Sequence, residues 1–138
     1  MRLTVSMLDD DKGMLLLASK MIERYNKNNY HDLDCNTFTS SVDFIMNFNH
    51  DIAVIDLDIK GVNGFQVGER ILRENQDTVV FMMSGHFMSD EKDESLICKM
   101  NFDPCDLVER YFFLRHREVR NVRQILNGQE KFKNVLAV

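Results

Sequence analysis

The chain alternates between short apolar runs and longer segments in which apolar residues recur every three or four positions. Short apolar runs are typical of buried β-strands, whereas the wider spacing is typical of helices packed on a core. The predicted strands are residues 3–8, 33–38, 51–57, 78–83 and 95–100. The predicted helices are residues 14–25, 42–48, 65–73 and a long last helix from Asp103-Pro104 to about Leu126. Strands that alternate with helices predict a parallel sheet covered by helices on both faces.

Acidic residues stand at the ends of two of these strands. Asp9, Asp10 and Asp11 follow the first strand, and Asp56 ends the third. Because the carboxyl ends of parallel strands meet at one edge of the sheet, these side chains are expected in one crevice. Carboxylates held close together repel one another unless a cation lies between them, and Mg²⁺ prefers oxygen ligands. One carboxylate of such a site could act as a nucleophile, while Asp11 is expected to cap the following helix.

Composition narrows the class of protein. The 138 residues suffice for one domain with a real core, and the 44% hydrophobic and 28% charged residues are ordinary for a globular protein. A net charge of −5 argues against direct nucleic-acid binding. No apolar run approaches the ~18 residues of a membrane span. The three cysteines show no metal-type spacing, so a reduced, cytoplasmic compartment is expected.

The residues around Asp56 resemble the receiver domain of bacterial two-component response regulators. Segment 56–64 reads Asp-Leu-Asp-Ile-Lys-Gly-Val-Asn-Gly. It resembles the family's phospho-acceptor loop, in which an aspartate is followed by a turn of the type Met-Pro-Gly-x-Asp-Gly. Ile59 stands in place of the methionine, Lys60 in place of the proline and Asn63 in place of the aspartate.

The resemblance implies a role for each acidic residue at the strand ends. Asp56 would be the phospho-acceptor. Asp9, Asp10 and Asp56 would hold Mg²⁺, together with the backbone carbonyl of Asp58.

Two further site residues follow from the same resemblance. Ser84, after the fourth strand, matches the family's Ser/Thr and would donate a hydrogen bond to a phosphoryl oxygen. Lys99 matches the lysine that pairs with another phosphoryl oxygen. A second register of the chain would give Arg110 this role instead. Lys99 is preferred because Asp103-Pro104 is a good helix start, which would leave Arg110 inside the helix.

The implied fold is a flavodoxin-like, doubly wound, five-stranded parallel sheet of strand order 2-1-3-4-5. The receiver domain would occupy residues 1–118. Only fourteen residues separate Ser84 from Lys99, so the helix between strands four and five should be short or missing. Residues 119–138 are expected to extend the last helix and form a C-terminal tail, as a homodimer contact or a linker to an output domain.

The leading functional hypothesis is a receiver that takes a phosphoryl group from a sensor histidine kinase or phosphotransfer protein and passes a conformational change to an output domain or effector. Its chemistry would be at most self-phosphorylation and autodephosphorylation. The alternative is a divergent pseudo-receiver that binds proteins without phosphorylation, which the lost proline and the irregular strand-five turn favour. A haloacid-dehalogenase-like phosphatase is a third hypothesis. That family carries its nucleophile on the first strand, whereas Asp56 is on the third.

Two smaller expectations concern glycine and histidine. Gly61 and Gly64 are expected to supply turn conformations with positive φ. The four histidines, His50 among them, are expected at the surface or only partly hydrogen-bonded, with His86 close to the mouth of the site.

Overall fold

The predicted alternation of strands and helices is present in the computed structural model, which describes residues 2–29, 32–47, 49–83, 102–116 and 135–137. The strands are β1 (Arg2–Leu8), β2 (Asp32–Phe38), β3 (Ile52–Asp56), β4 (Val79–Met83) and β5 (Val135–Ala137). The helices are α1 (Lys12–Asn28), α2 (Ser41–Met46), α3 (Gly64–Glu74) and α4 (Pro104–His116). None of the helices in these ranges is both long and apolar enough to cross a membrane.

The sheet has the predicted parallel topology. Strands β2, β1, β3 and β4 lie side by side in that order, and each neighbouring pair is parallel. The central strand β3 is entirely buried. This arrangement confirms the flavodoxin-like fold.

The edge of the sheet beyond β4 differs from the prediction. The short strand β5 pairs in parallel with β4, from Val80 opposite Val135 to Met82 opposite Ala137. The strand predicted at 95–100 lies outside the described residues, as do the helix expected before it and the expected extension of the last helix beyond 116. The assignment of 119–138 to a helix extension and a tail stays a prediction, within which residues 135–137 form this short strand. Their Val-Leu-Ala run is as apolar as a short strand requires, although the prediction did not use it.

Two apolar layers flank the sheet. One lies between the sheet and helices α1 and α4, and the other lies between the sheet and helices α2 and α3. Alternate residues of β3 face opposite layers, as the strand period of two demands. Val54 belongs to the first layer, whereas Ala53 and Ile55 belong to the second. Helices therefore cover both faces of the sheet, as predicted.

Polar side chains define where the helices begin. Asp11 accepts hydrogen bonds from the backbone N–H groups of Gly13 at 2.9 Å and Met14 at 3.2 Å, which confirms it as the cap of α1. Ser40 caps α2 and Asn63 caps α3 in the same way. Each such cap stabilises its helix by about 1 kcal/mol. These caps set the points at which the loops of the sheet edge turn into helices.

The two glycines after β3 serve different purposes. Gly61 has a φ of +75°, as predicted for a turn. Gly64 was predicted to share this conformation, and that prediction is wrong because Gly64 is the first residue of α3. A Cβ at Gly64 would lie 2.7 Å from Leu57 Cδ2 and 3.3 Å from Ile55 Cγ2. The missing side chain therefore lets α3 begin close against β3.

Gly68 should tolerate a larger side chain poorly, since α3 lies against the sheet here. A Cβ at this position would lie 2.7 Å from Met82 Cε and 3.4 Å from Val80 Cγ1. We expect Gly68→Val to lower the free energy of unfolding by about 1–3 kcal/mol through overpacking. Gln66→Val places the same side chain at an exposed position of α3 and should change stability by only about 0.5 kcal/mol. Urea unfolding followed by circular dichroism measures both, and equal stabilities would refute the close packing.

His50 is buried rather than superficial. Only 2% of the residue is exposed, and its ring stacks on Phe44 with 5.1 Å between ring centroids. Its Nε2 lies 3.3 Å from the Phe44 carbonyl oxygen, whereas Nδ1 has no hydrogen-bond partner among the described residues. His50 thus matches the second of the two expected alternatives, a histidine that is only partly hydrogen-bonded. Burial lowers the pKa of His50, and the bond to the Phe44 carbonyl offsets this only in part.

The lowered pKa of His50 predicts a loss of stability in mild acid. Above about pH 6.5 the imidazole is neutral in both the folded and the unfolded chain. As the pH falls below that value, the unfolded chain binds the proton more readily, so the free energy of unfolding decreases toward the folded-state pKa. His50→Phe keeps the stacked ring and should decrease the loss of stability between about pH 7.5 and about pH 5.5. Urea unfolding at both pH values tests this, and an identical loss in the variant would exclude His50 as its source.

Candidate metal centre

The pairing of β1 with β3 brings two acidic residues to the same edge of the sheet. Leu8 lies opposite Ile55 in the parallel register, so the next residues, Asp9 just after β1 and Asp56 at the end of β3, lie side by side. Asp10 follows immediately, before α1 begins. The predicted meeting of these three residues is therefore a direct consequence of strand register.

The three carboxylates form a compact cluster that we call the acidic trio. One carboxylate oxygen from each of Asp9, Asp10 and Asp56 lies within 4.8 Å of the other two. Asp9 and Asp56 are buried, with 4% and 1% exposed, whereas Asp10 is exposed. Two members of the trio are thus buried, and the third, Asp10, is exposed to solvent.

Backbone hydrogen bonds hold the two buried acids in place. The N–H of Asp11 donates to Oδ1 of Asp9 at 2.9 Å, and the N–H of Asp58 donates to Oδ1 of Asp56 at 3.1 Å. The same loops are tied to the neighbouring strands. The N–H of Asp9 donates to the Phe38 carbonyl at 3.1 Å, and the N–H of Leu57 donates to the Met83 carbonyl at 2.7 Å. The backbone that carries the buried carboxylates is therefore tied to the neighbouring strands β2 and β4.

The loop after Asp56 connects β3 to α3 and packs against the core. Ile59 is 8% exposed and packs in the layer beneath α3. Gly61 supplies the positive φ, and Asn63 ends the loop by accepting from the N–H groups of Phe65 and Gln66. The capping role of Asn63 was missed, although an asparagine just before an amphipathic segment is a recognised cap signal.

The acidic trio fits a small divalent cation. Two like charges about 4 Å apart repel by about 1 kcal/mol in water and about 4 kcal/mol at a partly shielded surface, and a cation removes this cost. Opposite oxygens around Mg²⁺ lie about 4.2 Å apart, since each Mg–O distance is about 2.1 Å. The 4.8 Å limit of the trio is close enough for small side-chain rotations, or a water ligand, to complete the shell. A carboxylate set is also the donor chemistry that Mg²⁺ prefers.

The other predicted site residues divide into two groups. Ser84 and Lys99 lie outside the described residues, and the orientation of the Asp58 carbonyl stays a prediction. Arg110, the alternative cation, lies inside α4 and pairs with Asp106 at 3.1 Å on an exposed side of the helix. Asp103 accepts from the N–H of Cys105 at the start of this helix. The helix start that favoured Lys99 over Arg110 is thus confirmed.

Comparison with known proteins agrees with this geometry. A family model described as the response regulator receiver domain matches residues 5–102. The heme response regulator HssR of Staphylococcus epidermidis is 31% identical over 88 residues, which are 62% of this chain and 37% of the relative. The chain therefore spans about a third of the length of the curated relatives it matches.

Solved structures share the fold at lower sequence identity. A CheY-like receiver domain protein from Methanospirillum hungatei is 16% identical with a TM-score of 0.58, and the match covers 95% of this chain and 98% of that one. The response regulator DrrB of Thermotoga maritima is 22% identical with a TM-score of 0.58, covering 86% of this chain and 54% of that one. Since the family match spans more than half of the chain, this protein belongs to the response regulator receiver domains of two-component signalling.

Proposed function

We propose that this domain accepts a phosphoryl group on Asp56, in a Mg²⁺-dependent reaction with the phosphohistidine of a sensor histidine kinase or phosphotransfer protein. The observation that carries the proposal is the acidic trio, with the buried Asp56 beside Asp9 and Asp10. An aspartate in such a place is both a metal ligand and a nucleophile.

The proposed reaction is an in-line displacement at phosphorus. An oxygen of Asp56 forms the new P–O bond while the P–N bond of the phosphohistidine breaks, and the imidazole leaves with the electron pair of that bond. The product is an acyl phosphate on Asp56. Such transfers depend on positioning and on positive charge near the phosphoryl oxygens rather than on covalent help. Mg²⁺, when bound, would supply part of that charge.

Each residue of the site has a separate task in this proposal. Asp9 and Asp10 hold the metal beside Asp56, and the Asp58 carbonyl adds a further oxygen ligand. The Asp58 N–H, at 3.1 Å from Oδ1, orients the Asp56 carboxylate. Ser84 donates a hydrogen bond to one phosphoryl oxygen, and Lys99 pairs with another.

The consequence of phosphorylation is a shift between two conformations, which a partner reads. We propose that the partner is an output domain or an effector protein, with the last helix as a homodimer contact or linker and residues 1–118 as the core of the receiver. The proposed compartment is the cytoplasm.

A small phosphodonor tests the proposal without a kinase. Incubation with acetyl phosphate and Mg²⁺, followed by intact mass spectrometry, should show a gain of one phosphoryl group, and EDTA should prevent that gain. If the protein gained no phosphoryl group from acetyl phosphate and none from a phosphorylated histidine kinase, a pseudo-receiver that signals without phosphorylation would be favoured. Repeated turnover of a phosphomonoester would favour a phosphatase.

A further inference from the structure

We propose that the groove between α2 and α3 is a docking surface for an acidic protein segment with apolar anchor residues. The groove has a volume of about 750 Å³, and Ile45, Val62, Gln66, Arg70 and Arg73 are among its lining residues. It lies on the face of the sheet opposite α1 and α4. Nothing in this inference requires phosphorylation of Asp56.

Exposed apolar side chains mark the two helices that form this groove. The described residues include six large apolar side chains that are exposed, and three of them lie on α2 or at the start of α3. They are Val42 at 66%, Met46 at 73% and Phe65 at 47% exposed. Val42 and Met46 are four residues apart on α2, so they are neighbours on its surface. Phe65 lines the groove itself together with the partly buried Ile45 and Val62, whereas Val42 and Met46 lie on α2 outside the described lining.

The charge of the groove is opposite to that of the chain as a whole. The chain carries a net charge of −5, yet Arg70 and Arg73 line the groove, and Glu69 is the only acidic residue among its described lining residues. Arg70 makes no ion pair within the described ranges, and Arg73 meets Glu69 only at 3.8 Å with 71% of its side chain exposed. Two exposed arginines in a groove that also holds Phe65 complement carboxylates on a partner.

The same charges argue against a second copy of this chain as the occupant. A two-fold contact would bring the same patch of both copies together, so two grooves that each carry two arginines and one glutamate would meet with net positive charge on both sides. A nucleic acid is disfavoured by the overall negative charge of the chain, and Arg70 and Arg73 are the two basic residues among the described lining residues of the groove. An acidic segment bearing Leu or Phe satisfies both the apolar and the charged parts of the surface, as amphipathic helices do in grooves.

Synthetic peptides test this docking surface directly. The probes are fluorescein-labelled peptides of about 15 residues with Glu on one helical face and Leu or Phe on the other, and matched peptides with Lys in place of Glu. Fluorescence anisotropy at low salt should detect binding of the acidic peptides only. Arg70→Glu should weaken that binding by at least about tenfold, because attraction becomes repulsion at the groove. Phe65→Ser should also weaken it.

Arg24→Glu is the matched control, because it makes the same charge change at an exposed position of α1 on the other side of the sheet. It should leave binding nearly unchanged, and circular dichroism should show that all three variants are folded. An equal effect of Arg24→Glu would overturn the proposal, since it would indicate attraction to overall charge. Failure of every acidic peptide to bind would also overturn it. Concentration-dependent dimerisation that Phe65→Ser abolishes would assign the groove to a second copy instead.

Phosphoryl uptake separates this inference from the proposed function. Arg70→Glu should still gain one phosphoryl group from acetyl phosphate, because Arg70 is outside the acidic trio. Loss of uptake in this variant would show that the groove is not independent of the Asp56 site.

Discussion

Asp56→Asn should abolish phosphoryl uptake while leaving the domain folded. The amide of asparagine lacks the nucleophilic carboxylate oxygen, yet its carbonyl oxygen can still accept the hydrogen bond from the Asp58 N–H. Removing one of three clustered charges should also relieve repulsion, so without metal the free energy of unfolding should rise by about 1 kcal/mol. Intact mass spectrometry and urea unfolding in EDTA measure the two effects.

Asp58→Asn is the control for Asp56→Asn. It removes the same charge two residues away and keeps the backbone carbonyl proposed as a metal ligand. Phosphoryl uptake should persist in this variant. If Asp56→Asn still gained a phosphoryl group on an aspartate, the assignment of the acceptor would be wrong.

Asp10→Asn should weaken Mg²⁺ binding by at least about tenfold and slow phosphoryl uptake strongly. Because Mg²⁺ carries two charges, a carboxylate charge lost within about 4 Å of it is worth about 2 kcal/mol in water and about 8 kcal/mol at a shielded surface, and each 1.4 kcal/mol is tenfold in affinity. Because Asp10 is the exposed member of the trio, its replacement should disturb the fold little. Isothermal titration calorimetry gives the Mg²⁺ affinity, and the time course of the mass gain gives the rate.

Asp11→Asn is the matched control for Asp10→Asn, since it removes the same charge from the adjacent residue. Asn caps helices about as well as Asp, so α1 should be retained. Asp11 is not part of the trio, and its variant should bind Mg²⁺ with nearly the original affinity. Equal weakening by both variants would indicate that Asp10 acts through general negative charge rather than as a ligand.

The sequence predicted the site because strand ends can be located from apolar runs. The run before Asp9 and the run before Asp56 are both buried strands, and a parallel sheet places their ends at one edge. Their direct adjacency required the register of Leu8 against Ile55, which no local pattern contains. The hydrogen bond from the Leu57 N–H to the Met83 carbonyl could not be predicted either, because such a backbone contact depends on the three-dimensional pairing of strands.

The errors in the prediction also have physical causes. Gly64 has no positive φ. A glycine suits this position because α3 lies close to Ile55 and Leu57, and such a tertiary contact leaves no local pattern in the sequence. The prediction for His50, at the surface or only partly hydrogen-bonded, did not specify its burial, because the stacking of Phe44 on its ring is a tertiary contact. The three residues of β5 are too short a run to be recognised against a competing strand prediction at 95–100.

The most direct test of the central claim is to locate the acyl phosphate. Borohydride reduces a phosphorylated aspartate to homoserine, and tandem mass spectrometry of the digested protein identifies the position. After incubation with acetyl phosphate and Mg²⁺, we expect homoserine at position 56 and no reduction in the presence of EDTA. Reduction at any other aspartate, or a phosphoryl group that borohydride does not remove, would contradict Asp56 as the acceptor.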